Sequence, residues 1–477
     1  MKAEGPAAGE GVSRNELAPG GTGIAKPIFD KKGATRTGNW GMSSEVLGDA
    51  SLYTGSDTMA PRVRRRQLMA ASIGNVLEYY DFVVYAFLAA IIAKQFFPNE
   101  SEVASLLATF AAFGVGFLAR PLGGLIIGRI GDQSGRKVAL LITLFGMAIG
   151  TVGIGLLPSY AQIGALAPVL LVVMRLLQGL SAGGEWGGAT SFIAESAPEG
   201  RRGLFGGIGQ ASIAGASLLG SIVAALVAMA FTPDQMQQWA WRLPFLLGGL
   251  LLPVGFYMRR NVEETPAFKA NQNKVPVTPP EFGSPFGMMA KAFGFTIVWT
   301  VGYYVMLSYM PTFLTKFAGL SQSQALWGNA IALAVLVAAT PLFGVLSDHI
   351  GRKPLLLACC AAFVILPYPL FSIMLDKASF PTIVCLQIII NLFIAAFSGA
   401  GPAALAELFP THSRTLLMSV GYSLSVAIFG GFAPYIATWL IDRTGSPIAP
   451  TYYLIASGII SGLVIWSFRE TAHQELR

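Results

Sequence analysis

Five ionisable side chains lie inside stretches of chain that are otherwise apolar: Glu78, Asp81, Arg120, Arg175 and Glu185. An ionised group at the centre of a bilayer costs about 2.5–3.5 kcal/mol on insertion scales, so each is a functional candidate. Glu78, Asp81 and Tyr85 recur at helical spacing and share one face. Arg175, Gln178, Ala182 and Glu185 share another. Lipid rejects such faces, so both must turn into protein. A guanidinium keeps its charge at any working pH and grips a carboxylate with a two-pronged fork. Arg120 and Arg175 are therefore candidates for binding an anionic solute, with Gln178 and Tyr85 beside them. A carboxylate in a dry cavity holds its proton more readily than in water, which makes Glu78 and Asp81 candidates for proton loading. A structural role competes: the acids simply neutralise the arginines, because a buried Arg needs partners whatever the chain does. Both readings can hold together, since a salt bridge broken by a proton or a solute couples the two.

The elements that position these groups are apolar spans. Of 477 residues, 53% are hydrophobic and only 12% are charged, against about 25% charged in a soluble domain. Stretches near the ~20 residues that cross a bilayer recur at 67–93, 104–130, 138–157, 166–190, 203–231, 241–260, 289–315, 323–346, 354–375, 380–405, 415–441 and 449–468. The pattern predicts an all-α polytopic membrane protein with twelve transmembrane helices in two six-helix bundles, 67–260 and 289–468. Residues 1–66 read as a disordered tail, 261–288 as a polar central loop and 469–477 as a short terminus. Lys and Arg crowd one set of loops, among them Arg64, Arg65, Arg66, Arg136, Lys137, Arg202, Arg352 and Lys353. The other set holds Lys94, Arg242, Lys316, Lys377 and Arg443. The positive-inside rule then places both termini and the central loop in the cytoplasm, and the chain in the inner (plasma) membrane.

The net charge of +7 belongs to these loops and does not call for a nucleic-acid partner. Cys359, Cys360 and Cys385 lie in apolar spans without metal-ligand or disulfide spacing. No phosphate-binding Walker loop occurs, and nothing matches the dyads, triads or metal clusters of catalysis. The expectation is a non-enzyme without cofactor or metal, whose partners are a small solute, protons and lipid, and which works as a monomer.

Two loops are duplicated. Gly128-x-x-x-Asp132-x-x-Gly135-Arg136-Lys137 follows the second span, and Gly344-x-x-x-Asp348-x-x-Gly351-Arg352-Lys353 follows the eighth. More loosely, Glu195-x-x-Pro198-x-x-Arg201 follows the fourth and Glu407-x-x-Pro410-x-x-x-Arg414 the tenth. Such a repeat implies two bundles related by an axis along the membrane normal, with a solute site between them. The doubled loop resembles the signature of the major facilitator superfamily. Glu78-Tyr79-Tyr80-Asp81-Phe82, Gly116 to Gly124 with Arg120-Pro121 at its centre, Arg175-Leu176-Leu177-Gln178-Gly179 and Trp241-Arg242-Leu243-Pro244-Phe245 are similar to segments of its metabolite:proton symporters. Those include the alpha-ketoglutarate, citrate, shikimate and proline/betaine permeases. Gln133 and His349 stand where the family often has a basic residue.

The resemblance implies secondary transport by alternating access. It also implies a gating latch in which Asp132, Arg136, Asp348, Arg352, Glu195, Arg201, Glu407 and Arg414 close the cytoplasmic side. Buried charge is confined to the first bundle, so the second is expected to supply shape and neutral contacts such as Tyr303 and Asn391. Two intramembrane arginines point first to a small organic acid, a di- or tricarboxylate or an oxo-acid, imported with protons. A zwitterionic osmolyte such as proline or betaine is the alternative, and a drug-efflux antiporter a third reading.

Overall fold

The computed structural model describes residues 75–76, 79–134, 136–183, 185–250, 252–253, 255–256, 285–376, 378–409, 414–472 and 474. The tail, most of the central loop and Glu78 lie outside the described residues. Every regular element described is helical. Twelve helical regions follow the predicted spans. The first, α1, is a bent pair, Tyr79–Phe87 and Ala89–Phe96, with a 72° break. The rest of the first half is α2 (Glu102–Leu118 continued by Arg120–Ser134), α3 (Arg136–Leu156), α4 (Leu166–Ser181 continued by Glu185–Ser196), α5 (Arg202–Ala230) and α6 (Leu243–Gly248). The second half has α7 (Pro285–Tyr303 leading to Met310–Phe317), α8 (Gln322–Ile350) and α9 (Arg352–Ile365 continued by Pro367–Leu375). It ends with α10 (Phe380–Leu408), α11 (Arg414–Ser425 leading to Ala433–Thr444) and α12 (Pro450–Trp466). Among the described residues seven helices are long and apolar enough to cross a membrane, or nine when each bent pair counts as one. The apolar parts of α3 and α12, Leu141–Leu156 and Pro450–Trp466, are shorter. The sixth predicted span runs partly outside the described residues.

Prolines shape the second half. Pro311 and Pro434 each follow a wider π-helical turn, over Tyr304–Tyr309 and Val426–Gly430. Proline has no N–H to give to the carbonyl one turn back, and the wide turn absorbs the mismatch. Pro341 sits inside α8, and Pro367 marks the 46° bend of α9.

Glycines set the closest approaches. A Cβ at Gly179 of α4 would run into the Gly116 carbonyl of α2, and one at Gly183 would meet Arg120 and Gly124. Without side chains at this seam the backbones of α2 and α4 pack directly, and the two arginine-bearing helices are held together. Gly179→Val is expected to separate them, and the yield of monodisperse protein in detergent is expected to fall severalfold; a normal yield would mean the seam is not needed for assembly.

The halves meet along α5 with α8 and along α2 with α11. At Gly203 a Cβ would meet Gly344, Ser347 and Arg352 across the interface. At the end with the duplicated loops, the motif end, Arg414 Nη1 pairs with Glu195 at 2.8 Å. At the opposite end Lys316 Nζ reaches Glu102 at 2.7 Å, and Ser221 donates to the Leu326 carbonyl at 2.9 Å. Direct polar contacts thus join the halves at both ends.

Candidate functional site

Arg175 is fully buried in α4. Its guanidinium carbon lies 3.4 Å over the Tyr85 ring centre and 5.4 Å from that of Phe113. Such a stack is worth about 2 kcal/mol or more when desolvated, so the ring can hold the cation without a carboxylate in contact. Arg175 Nη1 donates to Gln178 Oε1 at 2.9 Å. The Nε and Nη2 edge meets no hydrogen-bond acceptor among the described residues. Tyr85 is fixed in turn, since its hydroxyl donates to the Thr109 carbonyl at 3.0 Å.

Gln178 and Arg175 lie one turn apart, as the spacing implies. The other end of the Gln178 amide donates to Thr151 Oγ1 of α3 at 2.8 Å. Asp81 of α1 lies near Thr151. Gly248 of α6 makes room here: a Cβ on it would stand 3.1 Å from Thr151 Cγ2 and 3.3 Å from Asp81 Oδ1. Asp81 makes no ion pair to Arg175 within 4 Å among the described residues. Thr151 gave no signal in the sequence, being one hydroxyl in an apolar run.

Arg120 begins the second segment of α2, 4% exposed, with its guanidinium 4.3 Å from the Phe82 ring centre and 4.6 Å from that of Phe117. Of the two other predicted acids, Glu78 lies outside the described residues, as does the side chain of Glu185.

The second half contributes aromatic and amide groups. Tyr303 is hydrogen-bonded through its hydroxyl to Ser217 of α5 at 2.9 Å, so it links the halves. Tyr304 packs edge-on to Phe117, 5.2 Å between centres. Asn391 and Gln387 are buried one turn apart on α10, and Asn391 Oδ1 and both Gln387 amide atoms meet no partner among the described residues. Trp186 of α4 stacks on Tyr422 of α11, with ring centres 3.5 Å apart and planes 10° apart. Trp299 of α7 stands edge-on to both. The Tyr422 hydroxyl is 3.2 Å from that of Tyr79. The sequence reading did not place Trp186 or Trp299 in a site; the only signal was a tryptophan two residues after the Gly183-Gly184 pair.

At the motif end Asp348, Arg352 and Glu407 of the expected groups form one network. Arg352 Nη1 donates to Asp348 Oδ1 at 2.7 Å and Nη2 to Glu407 Oε1 at 3.2 Å. Asp348 also accepts from the backbone N–H groups of Gly203 and Leu204, at 2.8 and 2.9 Å, where α5 begins. A carboxylate suits a helix N-terminus. Arg201 is exposed and precedes α5, and it is Arg202 that reaches Glu407, at 3.5 Å. The segment after α12 joins in: Thr471 donates to Glu407 Oε2 at 2.6 Å, and Glu470 accepts from the N–H groups of Arg352 and Lys353. Burial opposes the charge on Glu470, but these N–H donors outweigh it and hold its carboxyl below the usual range. Gly351, at φ 101°, turns the chain between α8 and α9, and Glu470 lies where a side chain would stand. Helices carry Asp132 and Arg136, but the side chains of both lie outside the described residues.

Comparison with known proteins places this arrangement. Residues 67–276 match the family model described as sugar (and other) transporter, and residues 318–477 match that of the major facilitator superfamily. The chain belongs to the major facilitator superfamily. It is similar to the proline/betaine transporter of Salmonella typhimurium, 34% identical over 438 residues, covering 87% of this chain and 85% of the relative. The Escherichia coli proline/betaine transporter is 34% identical over 433 residues, with the same coverage. A Staphylococcus aureus protein provisionally named for the same solutes is 37% identical over 410 residues, covering 84% of this chain and 87% of the relative. Among solved structures, the proton:xylose symporter XylE shares the fold, with a TM-score of 0.70 at 18% identity over 87% of this chain and 97% of the other.

Proposed function

We propose that this protein imports a zwitterionic osmolyte such as proline or betaine together with protons, by rocking two bundles about a central site. The observation that carries the reading is the open Nε and Nη2 edge of Arg175, buried and close to aromatic faces. That edge is the side-on fork that takes both oxygens of one carboxylate. The names of the relatives agree with this solute class rather than with the organic acid that two arginines first suggested. Arg120 is already stacked on two phenylalanine rings. Asp81 and Glu78 are the proposed proton carriers, the motif end is the cytoplasmic side, and the network around Asp348, Arg352 and Glu407 closes it. Gln178, Tyr85, Tyr303 and Asn391 are proposed to complete the lining.

The reading is tested by uptake of radiolabelled proline, glycine betaine, citrate and alpha-ketoglutarate into cells expressing the protein. Proline or betaine is expected to accumulate, and a protonophore to abolish accumulation. Accumulation of a carboxylic acid alone would return the reading to organic acids, and insensitivity to the protonophore would remove proton coupling.

A further inference from the structure

A small cavity lies along α4 between Arg175 and the motif end. Asn75, just before α1, Trp186 and Thr190 of α4 and Gln210 of α5 line it from the first half, and Pro402 of α10 lines it from the second. At 1.5 Å per residue, Thr190 lies about 8 Å short of Glu195, Gln210 about 10 Å into α5 from Gly203, and Pro402 about 8 Å short of Glu407. The cavity therefore sits about two helical turns behind the closed network. Glycines border it on α5. A Cβ at Gly209 would stand 3.0 Å from Ile193 Cδ1, and one at Gly206 would stand 3.2 Å from Pro402 Cβ. Side chains are shut out at both places.

The lining is polar and carries no ionised side chain. Asn75, Trp186, Thr190 and Gln210 are each less than a tenth exposed. The Asn75 NH2 is committed to the Gly209 carbonyl and the Ser212 hydroxyl. The indole N–H of Trp186 meets no acceptor among the described residues. Leaving a buried donor unmatched is costly, so the site calls for an acceptor. The Thr190 hydroxyl and the Gln210 amide add further donors to the same lining. Neutral donors of this kind hold a carboxylate by hydrogen bonds, and more weakly than a guanidinium fork does.

We propose that this cavity is an exit subsite, in which the carboxylate of the solute bonds to Trp186 Nε1 after leaving Arg175 and before reaching the cytoplasm. The inference rests on the transport reading above and adds a second station to the path of the solute. With the motif end closed the space is narrow. Pro402 belongs to the second half and the other lining residues to the first, so parting the halves at the motif end widens it. The station is built for release. A carboxylate passes from a charged fork to neutral donors and then to water, and no single step gives up the whole of its binding.

The test is counterflow of radiolabelled proline in right-side-out and inside-out membrane vesicles, each preloaded with unlabelled proline, so that the two faces are sampled in turn. Trp186→Phe keeps a ring against Tyr422 and removes the N–H. Its half-saturating proline concentration is expected to rise about tenfold at the motif face, the loss of one charge-assisted hydrogen bond, and by less than about twofold at the opposite face. Equal rises at both faces would assign Trp186 to the central site or to packing, and no rise at either would leave the cavity to water alone. Either result overturns the subsite. If that variant does not reach the membrane, Thr190→Val, of nearly the same shape, is compared in the same way and judged by the same outcomes. Wild-type vesicles that exchange citrate and not proline would overturn the solute reading instead, and the two-face comparison run with citrate then decides the subsite.

Discussion

Replacing Arg175 with lysine is expected to lower proline uptake by about 100-fold at matched membrane levels, equivalent to about 2.7 kcal/mol. Lysine keeps the charge, so an argument from charge alone would predict little change. It cannot keep the geometry. The guanidinium lies flat over Tyr85, sends Nη1 to Gln178 and leaves the Nε and Nη2 edge for a carboxylate. An ammonium is a point charge without a planar fork, so it cannot hold Gln178 and a two-oxygen ligand at once. Hydrogen bonds to charged groups contribute about 1.5–3 kcal/mol each, which sets the size of the loss. Initial rates of uptake in reconstituted vesicles measure it. A variant that transports at the wild-type rate would reduce Arg175 to a packing role.

Glu407→Gln is expected to open the motif end. The Glu407 side chain is 2% exposed and takes Arg352, Arg202 and Thr471 together. The amide is nearly isosteric, so packing survives. It offers one acceptor oxygen and no charge to two arginines. Breaking a buried ion pair from one side costs about 3–5 kcal/mol. Arg352 and Thr471 lie in the second half with Glu407, and only Arg202 belongs to the first, so the share of the loss that falls on the closed arrangement is that of the Arg202 pair, and it shifts the equilibrium between closed and open by about tenfold. Alkylation of a cysteine introduced at Ala403, which is 1% exposed beside Gly206 of the first half, reads the change. Faster labelling in the Glu407→Gln background is the expected result. Equal labelling would mean the network stabilises the fold without holding the gate.

Much of this was legible because it is written in types that lipid does not tolerate. Arg120 and Arg175 in apolar runs had to face inward, and doubled loops with both Asp and Arg had to do more than orient the chain. What escaped was decided by small angles or by ordinary residues. Arg201 and Arg202 differ by about 100° around a helix, and the start of α5 at Arg202 selects the second. Thr151 looks like any threonine that returns its proton to the preceding turn, as Thr296, Thr340 and Thr438 do. The two loop motifs of the second half read as separate devices, although Arg352 bonds to both Asp348 and Glu407. Trp186 and Trp299 resemble lipid-facing or packing tryptophans until α4, α7 and α11 bring them against Tyr422.

The segment after α12 bears on how the molecule is built and handled. Glu470 caps the backbone of Arg352, 118 residues earlier, and Gln474 accepts through its carbonyl from Arg202, 272 residues earlier. These contacts wait for nearly the whole chain to leave the ribosome. A nascent chain halted before Glu470 has its helices and lacks the clasp that seats them at the motif end. An affinity tag or fluorescent protein fused directly behind Gln474 pulls on the same clasp. A reporter fused there is therefore expected to weaken the contacts that Glu470 and Gln474 make at the motif end.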